Sequence, residues 1–110
     1  MTIKEIRALA KLRVRVSARS FDRDIKHHID VAIADLKRIG VHESYIGNGN
    51  VTDPIIIEAI LLNVAANFGN PDNSAQLSES YQAMLIKIKG GGYHRSKDNL
   101  DGQKEPAGKN

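Results

Sequence analysis

The sequence predicts an all-α protein, a small bundle of about four helices with a flexible C-terminal tail. Three observations predict it. Apolar residues recur at helical intervals in three separate stretches: Ile3, Ile6, Leu9 and Ala10; Ile25, Ile29, Ala32, Ile33, Leu36 and Ile39; and Leu77, Tyr81, Met84, Leu85 and Ile88. A fourth stretch, TDPIIIEAILLNVAANFG, is apolar around most of its circumference yet carries a helix start at one end and a helix stop at the other. The one stretch that alternates apolar and basic residues, LRVRVSARS, is brief.

At 110 residues the chain is one small domain, whose core can cover only part of its apolar helices, so oligomerisation would help it. There is no cysteine, which removes disulfides and thiolate metal sites. The amino-terminal MTIKEIRALAK carries charge throughout and lacks the apolar run of a secretory signal, so a cytoplasmic product is expected. The net charge of +3 and an isoelectric point near 9.3 permit an acidic partner without demanding one. Distribution says more: Lys4, Arg7, Lys11, Arg13, Arg15, Arg19 and Arg23 crowd the first part of the chain. A cluster of this kind is most often a solvated face.

Taken in order, Thr2 and Glu5 have capping-box spacing, and a first helix is expected over 3–11. Leu12, Val14 and Val16 then suit a short extended segment, with Ser20 or Asp22 able to cap the next helix. That second helix, 22–39, has one apolar face, acids in its first turn, Lys37 and Arg38 near its end, and Gly40 as its stop. Residues 41–51, with IGNGN, read as a loop. The central helix is expected over 54–68, capped by Thr52 or Asp53, begun by Pro54 and stopped by Gly69 and Pro71. Being apolar nearly all round, it must be buried nearly all round, in a bundle or against a neighbouring chain. It is too short for a bilayer. A last helix is expected over 75–89, capped by Asp72 or Ser74 and ended by Gly90, Gly91 and Gly92. Residues 1–95 form the helical domain; 96–110 are too polar to fold alone and read as a disordered tail.

Packing of these helices places Ile29, Ile33, Leu36, Ile60, Val64, Phe68, Tyr81 and Leu85 in the core. Catalytic chemistry finds few groups to carry it. His27 and His28 are adjacent and point to different sides of a helix, and Asp24 with His28 is a surface i, i+4 pair. IGNGNVTD lacks a phosphate-loop ending, GGGY follows a helix, and the carboxylates are scattered. No enzyme activity, cofactor or metal is expected. A helix-turn-helix reader would need exposed polar residues on the helix after the glycine-rich loop, which is instead greasy.

From the second helix onward the chain resembles the small head-tail connector, or DNA-packaging adaptor, proteins of long-tailed bacteriophages. The residues that carry the resemblance are Asp24-Ile25, Ala32, Asp35-Leu36, Gly40-Val41, Asp53-Pro54, Ile57, Ala59-Ile60, Ala66-Asn67-Phe68-Gly69, Pro71-Asp72, Ser80-Tyr81 and Met84-Leu85. One departure is the run of Arg15 and Arg19 after Leu12-Arg13-Val14, where such proteins often carry acids. The resemblance implies a structural protein of the virion neck, present in the host cytoplasm during assembly. It implies a cyclic homo-oligomer of about a dozen copies held by a heterologous interface. Its partners would be the portal protein, a tail-side head-completion protein and genomic DNA passing through the channel, with no membrane. On this reading Ile56 and Leu61 of the over-apolar helix, with Tyr93, are expected at a subunit or portal interface. Arg13, Arg15, Arg19 and Arg23 are expected to face channel DNA or an acidic partner. The alternative is a small helical DNA-binding or regulatory protein.

Overall fold

The computed structural model describes residues 1–97, and among them there are five α-helices and no strand. They are α1 (Ile3–Arg13), α2 (Asp22–Arg38), the single-turn α3 (Glu43–Ile46), α4 (Pro54–Asn67) and α5 (Ser74–Lys89), with a 3-10 turn at Arg19–Phe21 before α2. Helix α4 runs through the middle and packs against α1, α2 and α5.

The capping box at α1 forms: the Glu5 N–H donates to Thr2 Oγ1 at 3.1 Å, and the Thr2 N–H donates to Glu5 Oε1 at 2.8 Å. Those bonds hold the Glu5 carboxyl below its ordinary range. The extended segment expected after it does not exist. Leu12 and Arg13 continue the helix, and Arg15 takes a left-handed conformation at φ 61°. The Val16 N–H then returns to the Lys11 carbonyl at 3.0 Å and that of Arg15 to Leu12 at 3.2 Å, a Schellman ending. The apolar-basic alternation is thus a helix end that turns the chain, with Val16 packed on the core. Neither Ser20 nor Asp22 caps α2; Phe21 occupies that position without a side-chain bond, and Asp22 is held by Lys11 Nζ at 2.6 Å. That contact, helped by the charges of Arg7 and Arg19, lowers the Asp22 carboxyl against the opposing effect of burial.

The segment 41–51 is more than a loop, because it carries α3 and buries Val41, Tyr45, Ile46 and Val51. The Val51 N–H donates to the Met1 carbonyl at 2.7 Å, and Thr2 bridges Asn50 antiparallel. Asp53 caps α4, accepting from the N–H groups of Ile55 at 2.9 Å and Ile56 at 3.2 Å. Gly69 follows at φ 70°. At α5 neither expected cap is used: Asn73 sits there without a side-chain bond, and the Ser74 hydroxyl donates to the Ala66 carbonyl at 2.8 Å, tying α5 to the end of α4.

Of the expected core, Ile29, Leu36, Ile60, Val64, Tyr81 and Leu85 are buried, while Ile33 and Phe68 are half-buried against it. Asn63 is the polar exception. Its amide donates to the His28 carbonyl of α2 at 2.8 Å, and its oxygen accepts from Asn67 at 3.0 Å. After α5 the chain folds back, and the Tyr93 carbonyl accepts from the His42 N–H at 2.7 Å. Ser96 and Lys97, placed in the tail by the sequence, are part of this fold. The Lys97 N–H donates to Ser44 Oγ at 3.0 Å and its ammonium to Thr52 Oγ1 at 3.0 Å. The rest of the expected tail, 98–110, lies outside the described residues.

Candidate functional site

Among the described residues no three acidic, histidine or cysteine side chains gather to hold a metal, and no helix is long and apolar enough to cross a membrane. The surfaces with the shape to receive a partner are two faces of the bundle on either side of α5.

The front face is a groove between α4 and α5. Helix α4 turns Ile56, Ile60 and Val64 inward, which leaves Ile55, Glu58, Leu62 and Ala65 on its outer stripe. Three hollows succeed one another along it. The first, about 700 Å³, lies among Arg13, Arg15, Ala65, Phe68 and Leu77. The second, about 270 Å³, is lined by Leu62, Ser80, Met84 and Lys87; the third, about 340 Å³, by Ile55, Met84, Lys87, Ile88 and Tyr93. The groove is apolar along its floor, with Ile55 47% exposed. Arg13 bridges its rim to α4, donating to both Glu58 oxygens at 3.0 and 2.9 Å, which raises the Arg13 pKa.

The back face lies between α2 and α5. Here the Tyr81 hydroxyl donates to Asp35 at 2.7 Å, and Arg38 pairs with the same carboxylate. Burial pushes the Tyr81 pKa to about 12, with the Arg38 charge opposing. On the outside of α5 stands Ile86, 73% exposed. Asp24 and His28 are 3.7 Å apart on α2 and reach no third ligand.

A model of the phage connector protein family matches residues 3–90, from the first residue of α1 to the C-cap of α5. The chain belongs to the phage connector protein family. No curated protein and no solved structure matches it. Its role is structural: it is a head-tail connector of a bacteriophage, and its place is the neck of the virion.

In this connector the residues expected at an interface are placed differently from their expectation. Ile56 and Leu61 are 0% and 2% exposed, so both belong to the core of their own chain and offer no surface to a neighbour. The outward residues of α4 are one position away on each side, Ile55 and Leu62. Tyr93 is an anchor, but within the subunit. Its hydroxyl donates to the Asp53 carboxylate at 3.1 and 3.2 Å, and its ring meets Tyr45 edge-on at 4.9 Å between centroids. Burial first, and then the Asp53 contact, push its pKa to about 12. The four arginines do not form one site. Arg13 is neutralised by Glu58, Arg19 lies near Asp22, and Arg15 and Arg23 are exposed with no partner among the described residues. The sequence missed Ile55, Leu62 and Ile86. Only Ile86 had a signal, since it stands off the stripe that Tyr81, Leu85 and Ile88 share.

Proposed function

We propose that this connector closes into a ring beneath the portal, continues the DNA conduit and presents a platform to the tail-side head-completion protein. The family match carries the reading, because it coincides with the helical body from α1 to the end of α5. A ring of about a dozen identical subunits needs two different patches on each copy, and a rotation that closes. The front groove and the back face are two such patches, unlike in shape and lying on different sides of one helix. Portal protein and tail components are the partners of a connector, and genomic DNA is the passenger. Arg19 and Arg23 are the basic groups offered to phosphates, since Arg13 is engaged and Arg15 lines the groove.

Electron microscopy of the purified protein, alone and mixed with portal-bearing heads, tests this reading. The expected result is an annulus with a central opening, free or beneath the portal. Particles that stay monomeric in both samples would overturn it. Neutralising Arg19 and Arg23 together should leave the annulus intact and lower the yield of filled, infectious particles, with a salt dependence in any measured DNA binding. Unchanged yield assigns those arginines to the solvent.

A further inference from the structure

The front groove is open along its length, apolar on its floor and flanked by two bases. Ile55, Leu62 and Met84 supply the floor. Arg15 stands at one end and Lys87 where the second and third hollows meet, and neither has a partner among the described residues. Surface of this kind fits a helix that offers an apolar knob beside an acid. The connector carries such a helix face itself. Ile86 is 73% exposed, and Glu79, exposed and also without a partner among the described residues, lies seven residues earlier on the same stripe of α5. The other exposed apolar groups fit less well. Leu12 is 74% exposed, but the acid seven residues before it, Glu5, is held by Thr2 in the capping box. Val31 is only 37% exposed.

We propose that copies of this connector join front to back through α5: Ile86 of one copy seats over Leu62 and Met84 of the next, and Glu79 reaches that copy's Arg15. The proposal rests on the ring reading and adds the surfaces that make the ring. Closure supplies the register. In the proposed ring α5 lies along the ring axis, and copies in a closed ring are related by rotation without rise, so their α5 helices run parallel and meet at equal heights. Ile86 then faces the level of Met84 and Lys87. Glu79, about 10 Å further along at 1.5 Å per residue, faces the level of Leu77, where Arg15 lines the groove. Apolar meets apolar and acid meets base in a single alignment.

The absence of cysteine makes the test clean. The chain carrying both Leu62→Cys and Ile86→Cys, oxidised under assembly conditions, should give a ladder of disulfide-linked species ending in one largest band. Each single variant should stay monomeric, because in a front-to-back contact like never meets like. Single variants that dimerise as readily as the double variant would overturn the proposal. The wild-type chain treated with an amine-reactive cross-linker separates the two ideas. With portal-bearing heads present in every sample, a ladder from the wild-type chain but not from the double-cysteine chain makes these surfaces wrong and leaves the ring reading standing; no ladder from either overturns both. Charge reversal at exposed positions is a second measurement that does not touch the groove floor. Glu79→Arg should abolish the ladder, and adding Arg15→Glu to the same chain should restore it. A ladder indifferent to Glu79→Arg removes Glu79 from the contact.

Discussion

Single side chains do much of the work of fixing how these helices sit, and they do it with polar groups at apolar seams. Asn63 is the clearest case, because its amide is the only link between the middle of α4 and the backbone of α2 that a hydrogen bond supplies among the described residues. Asn63→Ala would remove the bond to the His28 carbonyl and one of the two from the Asn67 amide, which keeps the Asn63 carbonyl, at a cost of about 1 kcal/mol. The urea midpoint should fall with the slope unchanged. The two perturbed tyrosines make a pH prediction. Tyr81 and Tyr93 are both raised from 10.0 to about 12, so the fold favours their neutral forms. Their contribution is complete below pH 10 and is lost as the pH rises through 12. Phenolate absorbance should show these two groups titrating late, with unfolding as they ionise; titration of all tyrosines near 10 would contradict the buried geometry. Phe68 is half-buried and meets Phe21 edge-on at 5.4 Å between centroids. Phe68→Ala should therefore cost about 2 kcal/mol, short of the ~3–5 kcal/mol of a fully enclosed phenylalanine, in a thermal melt.

Helix by helix, what the residues announce depends on whether they carry a phase. Helices α2 and α5 have one apolar stripe each, and the faces that Ile29, Leu36, Tyr81 and Leu85 bury are the faces their spacing predicts. Helix α4 is apolar all round, so its existence and both ends were legible from Asp53, Pro54 and Gly69 while its rotation was not. A residue shift of one turns a helix by about 100°. That is why Ile56 and Leu61 were expected outside and lie inside, with Ile55 and Leu62 in their place. Long-range pairs set the phase, and single-sequence periodicity does not register them. One of them, Arg13 with Glu58, bridges α1 to α4 across 45 residues of sequence. With both side chains more than a third exposed, 38% and 39%, a double-mutant cycle should return no more than about 1 kcal/mol. A larger coupling would mean that the pair sits in a drier setting. The turn after α1 was hidden for another reason: a Schellman ending with arginine in the left-handed position lacks the glycine by which sequence usually marks it.

Seen as one molecule, the described fold is closed where the residue before α1 and the stretch after α5 meet the same segment. Met1 pairs with Val51, and Tyr93 reaches back to His42 and Asp53, so the stretch between α2 and α4 is held from both sides. This was illegible in the sequence because a turn-rich stretch gives no hint of what will lie on it. Ending the chain after Lys89 should give a subunit with a lower melting temperature than ending it after Lys97. Equal melting of the two truncations would show that the Tyr93 anchor stabilises nothing. The central place of α5 has a consequence in time. As the chain emerges from the ribosome, residues 1–73 can form α1 through α4, but α5 supplies one wall of the groove and the whole of the Ile86 ridge. Neither of the two proposed faces exists until α5 docks, and the contacts that secure it come from residues further along the chain. A chain whose α5 has not yet docked therefore has nothing with which to grip a neighbour, and joining waits for folded subunits.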